Sequence, residues 1–333
     1  MHDIIHDLAA YVMGDEFIVM KLGHASNSLA QAPHSSLVGC SELPLFPDTL
    51  CEVKNARTLM MFFPKGDIRE VPPQMFSNSR YLDFSHTRLR TLPSSTGSLY
   101  NLQTLSLFEC YNLLELPKST RCLLSLRHLN IKGCESLTHM PTRVGELRNL
   151  QTLPMFIVGN GVGESIKELQ CLNIRGELDI KNLENVNNAI DALVTNLKEK
   201  QNIYSLGLSW GNNVEDLQEK HSRPLWPSRQ QHHHAEFTRN SEDILAYLNP
   251  NSNVKRLSIT RYPGIAFPNW IRGDALPNLT TVKLIKCARR KQLPSLGELP
   301  CLKFLYLNGL HMTQKIGIEF YGKDTTVPFP TLK

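Results

Sequence analysis

Five segments of this chain fit one template at a nearly fixed interval. Leu59-Met60-Met61, Leu82-Asp83-Phe84, Leu105-Ser106-Leu107, Leu129-Asn130-Ile131 and Leu153-Pro154-Met155 each carry an apolar-x-apolar doublet, and their first positions lie 23, 23, 24 and 24 residues apart. A period in the twenties means that each repeat is one small supersecondary unit, unable to bury its apolar face alone and obliged to stack on its neighbours. This outweighs chain length as a guide to architecture. The 333 residues would ordinarily suggest two domains, but a stacked chain grows by adding units. It presents a long surface rather than one enclosed cleft, and long surfaces bind other molecules more readily than they catalyse.

Within a repeat the physical logic is legible. Leu102-x-x-Leu105-x-Leu107-x-x-Cys110-x-x-Leu113-x-x-Leu116-Pro117 is followed by Leu126-x-x-Leu129-x-Ile131-x-x-Cys134-x-x-Leu137-x-x-Met140-Pro141. The doublet alternates in and out, as a strand with one buried face requires. The cysteine falls where the chain turns off the strand, and there a small thiol can fill core and give a weak hydrogen bond to turn backbone. The proline cannot continue a ladder or a helix, so it fixes the return leg. This frame is that of leucine-rich repeats. The predicted fold class is therefore α/β: a leucine-rich-repeat solenoid, a horseshoe with a parallel β-sheet on its concave face, preceded by a short helical segment.

After Leu153 the pattern loosens. Leu178-Asp179-Ile180 comes 25 residues on, Leu206-Gly207-Leu208 a further 28, and then Leu257-Ser258-Ile259, Val282-Lys283-Leu284 and Leu305-Tyr306-Leu307 at steps of 51, 25 and 23. About ten strands in all are expected, a sheet roughly 45 Å long at the usual strand spacing. Ala189, Ile190, Leu193 and Leu197 predict a short helix on the outer side. The 51-residue step holds an insertion. Residues 211–240, with Pro224, Pro227, Gln230, Gln231 and His232-His233-His234, read as a disordered loop. Ile4, Ile5, Leu8, Ala9 and Val12 predict a helix over residues 3–20. Residues 26–55, with Pro33, Pro44 and Pro47, read as a connector, and the repeats span 56–333. Both ends look cut: Phe329-Pro330-Thr331-Leu332-Lys333 repeats the opening of earlier units such as Leu299-Pro300-Cys301-Leu302-Lys303 and stops before its own strand.

Bulk properties remove several function classes. The net charge of +5 comes from 36 basic and 31 acidic residues, and so scattered an excess does not call for nucleic acid or an anionic membrane. No apolar run reaches the length of a spanning helix, and the N-terminus lacks the apolar core of a secretion signal. The 8 cysteines then read as thiols of a reducing, cytoplasmic compartment, and the sequon Asn278-Leu279-Thr280 as an accident.

Other candidate chemistry is thin. His2, Asp3, His6 and Asp7 place two imidazoles on one helical face, readable as a metal site or as the polar side of an amphipathic helix. His232-His233-His234 reads as polar loop. Gly159-Asn160-Gly161-Val162-Gly163-Glu164-Ser165-Ile166-Lys167 resembles a phosphate loop but lacks the lysine-hydroxyl ending, so an ordinary glycine turn is favoured. Lys286-Cys287-Ala288-Arg289-Arg290-Lys291 reads as a solvated turn before a nucleic-acid patch. Trp210 and Trp270 close strand regions as packing residues, with an interface role open to either. No catalytic constellation and no resident metal or cofactor is expected.

A sharper resemblance lies at the N-terminus. Met1-His2-Asp3-Ile4-Ile5-His6-Asp7-Leu8-Ala9, with Gly14-Asp15-Glu16-Phe17 after it, resembles the MHD segment of plant nucleotide-binding leucine-rich-repeat disease-resistance proteins of the coiled-coil class. Gly176–Val186, Leu206-Gly207-Leu208-Ser209-Trp210 and Phe267-Pro268-Asn269-Trp270 are similar to stretches of the same family. The resemblance implies that residues 1–25 are a winged-helix remnant of a nucleotide-binding region, with the repeats following in family order. It implies a receptor that holds ADP while off and switches on when a pathogen effector, or a guarded host protein, is sensed. The histidine associated with the ADP phosphate carries over onto His2 alone, because the phosphate loop and the ATPase core are missing. ADP or ATP then belongs to a full-length parent, whose nucleotide-binding domain is an intramolecular partner of the repeats.

The resulting expectation is a non-enzymatic recognition and autoinhibition module. From the alternation, its concave face carries Asp83, Ser85, Ser106, Phe108, Asn130, Lys132, Ser258, Thr260, Lys283 and Tyr306. Alternatives are a nucleotide-dependent switch, if the whole parent is considered, and a substrate-recognition scaffold of a ubiquitin ligase.

Overall fold

The computed structural model describes residues 17–21, 34–38, 57–62, 78–211, 231–287, 293–310, 317–322 and 328–332. They divide into two compact units, residues 1–154 and 155–333.

The first unit is built on a six-stranded parallel sheet in chain order: β1 Phe17–Lys21, β2 His34–Val38, β3 Thr58–Phe62, β4 Tyr81–Asp83, β5 Thr104–Ser106 and β6 His128–Asn130. Leu59, Leu82 and Leu105 stand in register, and Leu105 pairs with Leu129. All four are buried, as are Phe84, Leu107 and Ile131 at the second doublet position. The return legs carry short 3-10 turns, Ser94–Ser98, Lys118–Cys122 and Val144–Glu146. Pro93 and Pro117 stand just before the first two in extended conformation, so proline ends one run and sets up the next.

Two strands lie where none was expected. Phe17–Lys21 pairs with His34–Val38 over five residues, and His34–Val38 pairs with Thr58–Phe62. The parallel sheet thus begins inside the segments read as helix 3–20 and connector 26–55. Residues 17–20 are strand, and the repeat architecture extends N-terminal to residue 56. The remainder of the expected N-terminal helix lies outside the described residues. Neither strand carries the leucine doublet; the ladder to β3, rather than local pattern, makes them strands.

The second unit has its own six-stranded parallel sheet, β7 Met155–Ile157, β8 Gly176–Lys181, β9 Ile203–Ser209, β10 Arg256–Thr260, β11 Thr281–Ile285 and β12 Phe304–Asn308. The expected doublet at Leu153 is not one strand. Thr152 makes a single bridge to His128, the next strand starts at Met155, and Pro154 between them has no N–H for a ladder. From β9 to β12 the register holds without slip: Leu206, Leu257, Val282 and Leu305 form one row, and Leu208, Ile259, Leu284 and Leu307 the next.

The 28-residue step holds the expected helix, α1 Ala189–Val194, capped by the Asn188 side chain, which accepts from the Ile190 N–H. Its buried face is Ala189 and Ala192, however, and Ile190 and Leu193 are exposed. In the long step, residues 212–230 lie outside the described residues. The disorder expected over 211–240 is corrected from Gln231 onward by α2 Gln231–Tyr247, a 17-residue helix that packs against α1. Thr238, Ser241, Ile244, Leu245 and, just past its end, Leu248 are buried. Their spacing is helical, but two of the five are hydroxyl residues, so the apolar signal was weak. Trp270 donates its indole N–H to Leu245 O at 3.0 Å, and Asn240 donates to Val186 O at 2.9 Å.

Side chains stitch successive repeats. The buried thiols of Cys110 and Cys134 donate to the carbonyls of Phe84 and Leu107, just past the preceding strand, at 3.1 and 3.0 Å. Burial pushes the Cys110 thiol above its ordinary pKa, so it stays a neutral donor. Asn149, Asn185, Asn253 and Asn278 each donate to a carbonyl of the preceding repeat. The sequon asparagine is one of these bridges.

Candidate functional site: the outward faces of the two sheets

The chain leaves most strands through a left-handed residue directly before the cysteine position: His86 (φ 62°), Glu109 (56°) and Gly133 (82°) in the first unit, and Asn182 (60°), Arg261 (55°), Lys286 (54°) and Gly309 (65°) in the second. Glycine accepts this conformation freely, whereas other residues pay roughly 1–2 kcal/mol. Charged and polar residues therefore stand at a strained turn beside the open face. Nothing in the leucine pattern signalled this column; Gly133 and Gly309 were the visible hint.

In the first unit the outward side chains are engaged with each other. Asp83 accepts from the Ser85 N–H at 2.9 Å, from the Ser85 hydroxyl at 2.5 Å and from the Tyr81 hydroxyl at 3.3 Å. The Ser85 and Ser106 hydroxyls are 2.8 Å apart, and Ser106 is buried, only 8% exposed. It belongs to the floor of the face, correcting its place among contact residues. Burial first, and then the Asp83 carboxylate, raises the Tyr81 phenol above its usual pKa. Nδ1 of His34 and of His128 each lie within hydrogen-bond distance of a threonine at the register position of the next repeat, Thr58 at 3.0 Å and Thr152 at 2.9 Å. The Phe108 ring meets the His86 ring edge-on at 5.3 Å, and His86 Nδ1 lies 3.2 Å from Glu109 Oε2. Asn130 Oδ1 accepts from the Lys132 N–H at 3.2 Å, and the Lys132 side chain is exposed.

The second unit is arranged differently. Its outward columns are Glu177, Ser205, Arg256, Thr281 and Phe304, then Asp179, Gly207, Ser258, Lys283 and Tyr306, then Lys181, Ser209, Thr260, Ile285 and Asn308. Across the sheet the chemistry changes from two carboxylates and a lysine on β8, through small residues on β9, to one cation each on β10 and β11 and aromatic rings on β12. Arg256 reaches over β9 to Glu177 Oε1 at 2.7 Å, its guanidinium 5.1 Å from the Tyr204 ring centroid. Phe304 is 57% exposed and Tyr306 50%. Lys283 is exposed and has no ion-pair partner among the described residues. Arg256 and Phe304, both outward, stand directly before their doublets, and the sequence reading counted only positions inside and directly after the doublet.

Other sequence candidates resolve plainly. The glycine segment closes on itself: Gly159 N–H donates to Glu164 O, and Gly161 N–H donates to Glu164 Oε2 at 3.0 Å. The turn's own carboxylate thus takes the N–H that an anion would need, and no phosphate site results. Trp210 and Trp270 are buried; Trp210 packs on Tyr262 at 4.9 Å. His2, His6 and most of the basic run 286–291 lie outside the described residues, and His232-His233-His234 falls at the start of α2. Among the described residues no cluster of three metal-ligating side chains occurs, and no helix is long and apolar enough to cross a membrane.

Residues 166–310 match the R13L1/DRL21 LRRs family. The chain is 36% identical over 261 residues to disease resistance RPP13-like protein 1 of Arabidopsis thaliana, a match covering 77% of this chain and 24% of that protein. It is 31% identical over 364 residues to disease resistance protein RGA2 of Solanum bulbocastanum, covering 100% of this chain and 33% of that one. This chain is a leucine-rich-repeat relative of plant disease-resistance proteins. It spans a quarter to a third of the length of these relatives. Among solved structures, an internalin of Listeria monocytogenes superposes with a TM-score of 0.53 at 13% identity, covering 90% of this chain and 75% of that one. That likeness shows the leucine-rich-repeat fold.

Proposed function

We propose that the chain is a recognition module of a plant immune receptor, contacting a pathogen effector or a guarded host protein through the outward side of its strands. Recognition is direct side-chain contact and requires no chemistry. The carrying observation is the second unit's outward face, where Lys283, Tyr306 and Phe304 stand exposed on an unslipped ladder. Rigid aromatic and cationic groups of this kind are what protein interfaces use as anchors. Kinship with resistance proteins supports the reading. In an intact receptor the same repeats restrain an attached nucleotide-binding domain, and His2 contributes to holding ADP there; neither role requires nucleotide binding by this chain alone.

The test is to graft these repeats into an intact resistance protein with Lys132→Glu and Lys283→Glu, singly and together. Protein level should hold while effector response or resting silence changes. Full response together with normal silence in the double variant overturns the reading.

A further inference from the structure

We propose that the outward face of β10–β12 takes an acidic peptide segment of a partner protein in which a carboxylate stands beside an apolar side chain. The proposal rests on the recognition reading above and specifies the partner's chemistry. Tyr306 is paired directly with Lys283, and Phe304 with Thr281. Paired positions on adjacent strands lie about 5 Å apart, and positions two apart on one strand about 7 Å. One cation and two rings therefore share a patch the size of two or three partner residues.

Both rings are half open or more, and the lysine has no ion-pair partner among the described residues. The neighbouring cation, Arg256, is already held by Glu177 and Tyr204. It forms a fixed rim, and Lys283 is left as the charge that selects. Ser258 and Thr260 beside it are small, so an extended segment can lie across the strands without a clash.

A nucleic-acid backbone fits this face poorly. It needs several cations, whereas the same sheet carries the carboxylates of Glu177 and Asp179 on β8, three strands from Lys283. A peptide with one or two carboxylates and an apolar anchor matches both charge and shape. Its binding weakens with salt through the Lys283 contact and keeps a salt-independent part through the rings.

The experiment uses the full 333-residue chain and three labelled peptides of equal length: alternating Glu and Leu, alternating Lys and Leu, and alternating Glu and Ser. Fluorescence anisotropy should show the Glu–Leu peptide bound at least about tenfold more tightly than either other peptide. Lys283→Glu should move the preference to the Lys–Leu peptide. Tyr306→Ala and Phe304→Ala should each weaken Glu–Leu binding without changing the charge preference, and Arg148→Glu, at an exposed position on a return leg of the first unit, should change nothing. Equal binding of Glu–Ser and Glu–Leu overturns the proposal in favour of a general anion surface. So does preference for Lys–Leu by the unaltered chain, or absence of binding to all three. Binding that tracks self-association in sedimentation assigns the face to a second copy and also overturns it.

The two levels separate in the grafted receptor. Loss of response on Lys283→Glu without a peptide preference leaves recognition standing and removes the acidic segment. A clear preference with response intact keeps the acidic site and removes its role in recognition.

Discussion

The two units are built from one repeat yet present opposite kinds of surface. In the first, the Asp83 carboxylate, the Ser85 and Ser106 hydroxyls, the Tyr81 phenol and the His86–Glu109 pair satisfy one another. In the second, Arg256 is held by Glu177, and Lys283, Phe304 and Tyr306 are exposed. A ladder fixes where outward side chains stand, but not whether they are spent on each other. A partner gains little by replacing hydrogen bonds that are already made. It gains more over open rings, whose apolar area is worth about 25 cal/mol per Å² buried.

If the difference lies in the faces alone, the cores behind them should behave alike. Leu129→Ala in the first unit and Leu257→Ala in the second, both at fully buried positions, should each cost about 2–5 kcal/mol in denaturant unfolding. Leu305→Ala, at a half-buried position of β12, should cost clearly less. A loss confined to one unit would mean that the contrast begins in the packing.

The next effect separates engaged from open faces. Asp83→Ala leaves the Tyr81 phenol and the Ser85 N–H without their acceptor and should destabilise by about 1–2 kcal/mol. Tyr306→Ala and Lys283→Glu should stay within about 0.5 kcal/mol, as exposed substitutions do. Thermal melts of the three variants give the order, and a Tyr306 variant as unstable as the Asp83 one would erase the contrast.

The smallest effect is a titration. The Tyr81 phenol is raised by burial first and by Asp83 second. Its folded pKa is the higher one, so its contribution is complete below the unfolded value, near 10, and is lost as pH rises through the folded value. Asp83→Asn should move the Tyr81 midpoint downward, toward the ordinary tyrosine value, without reaching it, because burial remains. Tyrosinate absorbance during an alkaline titration reads this directly. An unmoved midpoint would show that burial alone holds the proton.

Much of this was legible beforehand, for a reason visible in single rows. Leu105 and Leu107 flank Ser106 in a strand, period two puts both leucines in the core, and a repeat of 23 to 25 residues sets each leucine beside its counterpart. The failures fall where that local signal is weak. The run Phe17–Lys21 looks equally like a helix end, and His34–Val38 looks like a connector, until each is laid beside β3. The helix Gln231–Tyr247 buries threonine and serine where a clear helix would bury leucine. Alternation also named Ser106 as outward, and so it is, but it cannot say that Ser85 lies over it.

By itself, the sequence determined the repeat, the parallel pairing and the identity of the core rows. Those follow from chain-local periodicity and from the need of each unit to bury an apolar face. It also determined kinship with disease-resistance proteins, through residues that need no coordinates to compare. Only the tertiary structure decided which outward groups are consumed internally and which are open. Whether Arg256 finds Glu177, 79 residues away, or Lys283 has no ion-pair partner among the described residues, depends on which strands stack side by side, and side-chain pairing across strands is a property of that stacking.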